Sequence, residues 1–200
     1  MQLLLTSSGH EAIGDLVSGR IAFIPDASRS SFLKGKLLQP ERRALQALGH
    51  DVVDVSLSSI PSNEIGPMLD SCEAIYVAGG ETFDLLSVLR KTGADQEIVR
   101  RVCAGMPYIG CSAGSVVAGP DITPISIMDN ANIAPDLTDY RGLGLTERIV
   151  IPHADGGLIG PSDSVIKKTV AKYGDDYDLT LLEDGEALLI DEEGVRKLGK

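Results

Sequence analysis

The sequence predicts an α/β fold with a doubly wound, mostly parallel sheet, and three observations support it. Short apolar segments recur along the chain, amphipathic helical patterns separate most of them, and glycine, proline or serine stands at many boundaries. Strands that alternate with helices form βαβ units, and strands covered on both faces are apolar throughout. A length of 200 residues fits one domain, so we expect residues 1-200 to form a single domain.

The elements follow from local patterns along the chain. Apolar, mostly branched segments predict these buried strands: Leu3–Thr6, Arg20–Pro25, Asp51–Val55, Ala74–Ala78, Pro107–Gly110 and Ile149–Pro152. Amphipathic segments, several with a proline or serine at the start and a glycine at the end, predict these helices: Pro40–Leu48, Ser62–Leu69, Glu81–Arg90, Ala94–Ala104 and Ser162–Tyr173. Residues 121–147 are expected to form a long loop, of the kind that is often functional or mobile.

The C-terminal part has a different pattern. Short apolar segments there are separated by Glu-Asp-Gly and Glu-Glu-Gly turns: Leu179–Leu182, Ala187–Ile190 and Val195–Leu198. Segments this short with turn residues between them are typical of antiparallel strands. We therefore expect a C-terminal β-meander that closes one side of the sheet.

Composition excludes several classes of function. The net charge of −11 disfavours a nucleic-acid partner or an anionic membrane surface. The sequence contains no apolar run of about 18 residues, so no membrane span is expected. Three cysteines without a C-x-x-C pair suggest a reducing, cytoplasmic location. Three scattered histidines predict neither a metal site nor a cofactor.

The segment Met-Pro-Tyr-Ile-Gly-Cys-Ser-Ala-Gly-Ser at residues 106–115 is the most informative motif. It is an apolar strand, then a Gly-x-Ser-x-Gly turn, then a segment able to begin a helix, which is the context of a nucleophile elbow. Ser112 would stand at the tip of that turn beside the free amides of a helix N-terminus. The pattern alone is equally compatible with a structural turn.

Two other predicted strands end in chemically useful residues. Gly79 and Gly80 follow one of them, and the amides of Gly80 and Ala113 could together form an oxyanion hole. His153 follows another strand and is placed to act as a general base, although it could also be a surface loop histidine. The acid that would orient it is left open among these carboxylates: Asp129, Asp136, Asp139, Asp155, Glu183, Asp184 and Glu186.

These motifs together resemble the peptidase E family of serine peptidases, and more distantly the cyanophycinases. The similar segments are the Leu-Leu-Leu-Thr-Ser opening, G-G-x-T-F at 79–83, Y-I-G-x-S-A-G at 108–114, the Pro-His at 152–153 and a late acid-Gly turn. The resemblance implies a flavodoxin-like three-layer sandwich, akin to class I glutamine amidotransferases. It also implies a catalytic triad of Ser112, His153 and Asp184, with Gly80 and Ala113 as oxyanion donors.

Three positions near the implied site remain open. Asp184 stands where the family usually has Glu, so Glu183 is an alternative acid. Asp129 lies nearest to an aspartate that the family carries after the elbow and is a candidate acid or substrate-binding residue. Glu81 stands where the family commonly has Asn, and a carboxylate there would repel an acidic substrate side chain.

The expected function is a serine-type peptidase that hydrolyses short peptides, dipeptidase-like, with or without a preference for Asp-X. The partner would be a small peptide, and the protein would be a monomer or homodimer. The rivals are a different or thiol-dependent hydrolase, with Cys111 as nucleophile, and a catalytically weak module that binds a small molecule on the same scaffold.

Overall fold

A seven-stranded sheet forms the centre of the computed structural model, which describes residues 1–10, 12–27, 38–156 and 160–199. The strands of these residues are, in chain order, β1 (Leu3–Thr6), β2 (Arg20–Ile24), β3 (Asp51–Asp54), β4 (Ala74–Val77), β5 (Tyr108–Cys111), β6 (Ile149–Ile151), β7 (Leu179–Leu181), β8 (Ala187–Asp191) and β9 (Gly194–Leu198). The helices are α1 (Gln39–Ala47), α2 (Ser62–Asp70), α3 (Thr82–Thr92), α4 (Ala94–Cys103), α5 (Ala113–Val117) and α6 (Asp163–Tyr173). The predicted α/β class is confirmed.

The order of the parallel strands is β3-β2-β4-β5-β1. A flavodoxin-like sheet has the strand order 2-1-3-4-5. If β2 is counted as the first strand, then β3, β2, β4 and β5 occupy the first four places of that order. The fifth place is held by β1, which pairs in parallel with β5 and antiparallel with β8. The carboxyl ends of β1, β4 and β5 therefore meet at one edge of the sheet, where sites form in this class of fold.

Two apolar clusters cover the two faces of the sheet and make three layers. Because successive strand residues point to opposite faces, Leu3 and Leu5 enter one cluster and Leu4 the other. Buried side chains of α2, α3, α4 and α5 pack in the first cluster, and Leu45 of α1 packs in the second. The three-layer arrangement predicted for the chain is confirmed.

The C-terminal strands differ from the predicted meander. Only β8 and β9 extend the main sheet, as an antiparallel hairpin beside β1. Strand β7 pairs in parallel with β6, and the two form a separate two-stranded sheet. The physical reason is that β1 already occupies the place beside β5, so β6 cannot join the parallel strands there and takes β7 as its partner.

The segment 121–147 is packed rather than unstructured. It holds two short 3-10 helices, Thr123–Ile127 and Ala131–Ile133. Apolar side chains from it lie in the first cluster, which fixes the path of the backbone: Ile122, Ile125, Ala134, Leu143 and Leu145. Its turn at Asp129 is thereby held close to the start of α3. Among the described helices, none has the length and apolar character needed to cross a membrane.

Candidate active site

Ser112 occupies a sharp turn between β5 and α5. Its φ of 47° and ψ of −109° lie outside the regions that residues with a Cβ normally adopt. Its N–H still donates to the carbonyl of Thr6 at 2.9 Å, so strand pairing holds the turn from one side. The amides of Ser115 and Val116 donate to the carbonyl of Ser112, at 2.9 and 3.1 Å, so α5 begins at once on the other side.

The two glycines of the motif are required by close packing. A Cβ on Gly114 would lie 2.1 Å from the carbonyl oxygen of Val77, and a Cβ on Gly110 would lie 2.5 Å from the carbonyl oxygen of Gly114. Neither neighbour can move easily, because both atoms belong to the backbone of the sheet or of the elbow. The Gly-x-Ser-x-Gly spacing is therefore a steric requirement of this turn.

Ser112, His153 and Asp184 form one hydrogen-bonded chain. Ser112 Oγ lies 3.0 Å from His153 Nε2, and His153 Nδ1 lies 2.6 Å from Asp184 Oδ1. Because an ionised carboxylate only accepts hydrogen bonds, Nδ1 carries the proton and Nε2 is left to accept one from the serine. His153 also has a left-handed backbone, with φ of 56°.

The carboxyl of Asp184 is held in its ionised form. Burial acts to raise its pKa, but hydrogen bonds from His153, Ser8 and Ser7 outweigh burial, and the pKa lies below its ordinary value. The shorter side chain of aspartate is sufficient here, because the turn at 183–186 lies against the end of β1. Asp184 Oδ1 accepts a hydrogen bond from Ser7 Oγ at 3.1 Å in addition to the one from the imidazole.

The backbone of Glu183 and the side chain of Asp129 form hydrogen bonds with other residues. The N–H of Glu183 donates to the side chain of Glu186 at 2.7 Å. Asp129 Oδ2 accepts from the N–H of Thr82 at 3.1 Å and from its hydroxyl at 2.5 Å, so it lies at the start of α3. Burial raises the pKa of Asp129 despite those hydrogen bonds. Burial and the nearby carboxylates of Asp129 and Asp84 raise the pKa of Glu81.

The Gly79–Gly80 turn lies against the elbow. A Cβ on Gly79 would be 3.3 Å from Ser112 Cβ, and a Cβ on Gly80 would be 2.4 Å from the carbonyl oxygen of Ala27. Gly80 has a φ of 142°, which only glycine adopts without strain. Ala113 is the first residue of α5, so its amide has no acceptor within the helix. Ala113 thus directly follows Ser112 in the chain, and Gly80 lines the same cavity as Ser112.

A cavity of about 560 Å³ lies at this site. The cavity wall includes Ser112, His153, Asp184 and Gly80, together with an acidic set that the sequence only partly predicted: Glu41, Glu81 and Asp129. Within the described ranges, no group of His, Cys, Asp or Glu is arranged to hold a metal ion. Residues 157–159 of the glycine-rich segment after His153 lie outside the described residues.

Glu41 and Ser7 are two neighbours that the sequence did not single out. Glu41 Oε2 accepts a hydrogen bond from Tyr76 Oη at 2.9 Å, and burial raises the pKa of Glu41 to about 7. No motif identifies Glu41, since it is an acid in the first turn of a helix, which is common. Ser7 had a usable signal, because it follows β1 at the carboxyl edge of the sheet.

Cys111 is not placed like a nucleophile. It lies at the end of β5 with its side chain buried in the second cluster. Burial raises the pKa of its thiol to about 12, so the reactive thiolate is scarcely populated at neutral pH. Cys111 is among the residues that line the cavity, but its thiol is buried and protonated.

The chain has relatives throughout its length. The model of peptidase family S51 matches residues 3–198. A curated uncharacterised peptidase of Listeria innocua is 34% identical, over 98% of this chain and 96% of the relative. The curated peptidase E of a Nostoc species is 30% identical, over 90% of this chain and 72% of the relative.

Solved structures agree with these sequence relatives. The crystal structure of a Listeria monocytogenes protein assigned to peptidase E superposes with a TM-score of 0.87 at 31% identity, over 100% of this chain and 98% of that one. A peptidase from an acI-B1 actinobacterium has a TM-score of 0.71 at 21% identity, over 100% of this chain and 87% of that one, and it supports the fold. The chain therefore belongs to peptidase family S51, the peptidase E family of serine peptidases.

Proposed function

We propose that this peptidase hydrolyses short peptides through an acyl-enzyme formed on Ser112. The observation that carries the proposal is the continuous hydrogen-bonded chain from Ser112 through His153 to Asp184 at the wall of a cavity. A serine hydroxyl becomes a useful nucleophile only when a base can take its proton, and a base works best when a third group orients it.

Each step uses groups in this chain. His153 Nε2 accepts the proton of Ser112 as Oγ attacks the substrate carbonyl, and Asp184 stabilises the imidazolium that results. The amides of Gly80 and Ala113 would bind the negative oxygen of the tetrahedral intermediate. His153 then gives its proton to the departing amine, and water repeats the same sequence on the acyl-enzyme.

The size of the cavity supports a short substrate. About 560 Å³ is within the range of small-ligand sites, which run from roughly 300 to 1,000 Å³. That volume suits a dipeptide or a slightly longer peptide.

The charge of the described cavity wall favours substrates whose side chain is not acidic. Glu81 and Asp129 both line the cavity, and the carboxylate of Asp129 contributes to the raised pKa of Glu81. Glu41, with a pKa of about 7, is largely protonated below neutral pH and contributes less charge. An anionic substrate side chain would bring a further negative charge beside Glu81 and Asp129 in a partly desolvated space and would be repelled. We therefore propose peptides with a neutral or basic first residue as better substrates than Asp-X peptides.

Replacing the proposed nucleophile is the direct test. Ser112→Ala should lower kcat on a panel of dipeptides by about 10⁴-fold or more, because covalent catalysis is lost. The folded protein should keep its thermal transition. Cys111→Ala is the matched control, since it changes the neighbouring residue and should retain activity. An active Ser112→Ala enzyme, or loss of activity in Cys111→Ala alone, would refute the assignment.

A further inference from the structure

Ser7 contacts two members of the proposed catalytic chain with one hydroxyl group. It lies directly after β1 and has an exposed fraction of 0%. Its Oγ donates to Asp184 Oδ1 at 3.1 Å and accepts from the backbone N–H of His153 at 2.7 Å. A hydroxyl has one proton to donate, so these contacts leave it in a single orientation.

Both contacts are made to residues that lie outside helices and strands. His153 lies beyond the end of β6 with a left-handed backbone, which is a strained conformation for a residue with a Cβ. Asp184 lies in the turn between β7 and β8 rather than in a strand. The Ser7 hydroxyl therefore links two loop residues to the end of a central strand.

The backbone around Ser7 reinforces the same link. The N–H of Ser7 donates to the carbonyl of Glu186 at 3.1 Å, and the N–H of Gly185 donates to the carbonyl of Ser8 at 3.3 Å. The residues after β1 thus lie along the turn at 183–186, which carries Asp184. Ser8 also forms a hydrogen bond with Asp184, but the Ser7 side chain contacts both Asp184 and His153.

We propose that Ser7 is a positioning residue of the peptidase reaction, which fixes the His153 backbone and the Asp184 carboxylate relative to each other. The inference rests on the proposed function, because it assigns Ser7 a role through those two residues. Asp184 Oδ1 accepts from both Ser7 and the imidazole, so the serine holds the oxygen in place to receive the Nδ1 proton. Misplacement of a catalytic group by about 1 Å is enough to cost roughly 100-fold in rate.

Thr6 provides a matched control in the preceding position. It is 2% exposed, and its hydroxyl donates to the carbonyl of Gly110 at 3.3 Å, within the sheet. Thr6→Val removes a buried hydroxyl and keeps the shape of the side chain. If Ser7 served only to stabilise the fold, Ser7→Ala and Thr6→Val would have similar consequences.

Steady-state kinetics on a dipeptide substrate test the proposal. Ser7→Ala should lower kcat by roughly 10- to 100-fold, the effect of one hydrogen bond to a charged group, with KM changed less than about twofold. Thr6→Val should keep kcat within about twofold. In an Asp184→Asn background, Ser7→Ala should cost much less than in the unmodified enzyme, because the two residues act as a unit. An unchanged kcat in Ser7→Ala, or full additivity with Asp184→Asn, overturns the proposal.

Two further measurements keep the test decisive if Ser7→Ala folds poorly or if the substrate is wrong. Ser7→Cys nearly preserves the side-chain shape but hydrogen bonds weakly, so it should lose kcat while keeping its thermal transition. Full activity in Ser7→Cys refutes the positioning role. The second measurement is the proton resonance of His153 Nδ1–H, which can be assigned because the chain has only three histidines.

That resonance does not depend on activity. The strong hydrogen bond to Asp184 should place it far downfield in the unmodified protein and in Thr6→Val, and faster exchange should broaden it in Ser7→Ala. If Ser112→Ala remained active, the proposed function would fail, yet this spectrum would still decide whether Ser7 holds the imidazole. An identical resonance in Ser7→Ala and Thr6→Val overturns the inference.

Discussion

The two sides of the active site are built by different physical means. On one side, the Gly79–Gly80 turn and the elbow around Ser112 are fixed by backbone packing so close that no Cβ fits at Gly80, Gly110 or Gly114. On the other side, His153 and Asp184 lie in loops and are held by hydrogen bonds to each other and to the side chain of Ser7. Close packing of the backbone positions the proposed nucleophile, whereas polar contacts position the proposed base and acid.

This difference determines how each side responds to change. A backbone packed to this density has no small adjustment available, so an added methyl group must displace the sheet or the helix. A hydrogen bond can be removed alone, leaving the fold nearly intact. Substitutions on the elbow side should therefore reduce stability and activity together. Substitutions on the side of His153 and Asp184 should reduce activity and leave stability nearly unchanged.

Asp184→Asn is expected to give the largest loss of activity without a matching loss of stability. The amide can donate to Nδ1 and so favours the wrong imidazole tautomer, which should lower kcat by about 10³- to 10⁴-fold. The thermal transition should change little, because the side chain is partly exposed. Steady-state kinetics and calorimetry measure both quantities. Glu183→Gln is the control and should stay within a few-fold of the unmodified kcat; the reverse ranking would make Glu183 the acid.

Gly114→Ala tests the opposite side. The added Cβ would lie 2.1 Å from the Val77 carbonyl oxygen, so α5 must move away from β4. We expect a loss of about 1–3 kcal/mol in the free energy of unfolding together with a loss of roughly 100-fold in kcat. Denaturant unfolding and kinetics on the same preparation measure the two effects. Gly144→Ala, where no atom lies within 4 Å of the added Cβ, should affect stability alone. A Gly114→Ala enzyme that is inactive but as stable as the unmodified protein would contradict the expectation that the elbow side loses stability and activity together.

Glu41 should give the elbow side a pH-dependent stability. Burial raises its pKa to about 7, so the folded protein keeps this proton between about pH 4.5 and 7 while the unfolded chain has lost it. The free energy of unfolding should therefore fall as pH rises through that window. Glu41→Gln removes this dependence and should gain about 2 kcal/mol relative to the unmodified protein between pH 5 and pH 8. Denaturant unfolding curves of the unmodified protein and of Glu41→Gln, recorded at pH 5 and pH 8, measure this gain. Glu64→Gln, at an exposed position, is the control and should show no gain. An equally small gain in Glu41→Gln would mean that Glu41 is solvated.

The smallest effect is expected at the cavity rim. Glu81→Asn removes a negative charge beside Asp129, and it should raise kcat/KM for Asp-X dipeptides by several-fold relative to Ala-X dipeptides. Stability should hardly change, because the residue is partly exposed. A dipeptide series assayed with both enzymes measures the ratio. An unchanged ratio would mean that Glu81 does not contribute to substrate charge preference.

The same difference explains what the sequence could predict. The elbow was predictable because its requirements are local: two glycines and a serine after an apolar strand specify the turn. The choice among Glu183, Asp184 and Asp129 was not predictable from the residues, because the three carboxylates have the same chemistry and only the path of the turn decides which one reaches Nδ1.

The fold was predictable to the same extent. The parallel strands and the helices between them followed from local patterns, with boundaries correct to within a few residues. The pairing of β7 with β6 was not, because it depends on β1 filling the place beside β5. The contacts of Ser7 were equally hidden, since Ser7 and Asp184 are separated by 177 positions in the chain.

The position of β1 also has a consequence for the order in which the proposed catalytic chain can assemble during folding. Strand β1 pairs on one side with β8, which is far from it in the sequence. A folding intermediate that has formed β1 to β5 already contains Ser112 in its turn, but it lacks both the folded turn of Asp184 and the strand β8 that follows this turn. The proposed catalytic chain is therefore completed by contacts of long sequence separation, which form slowly.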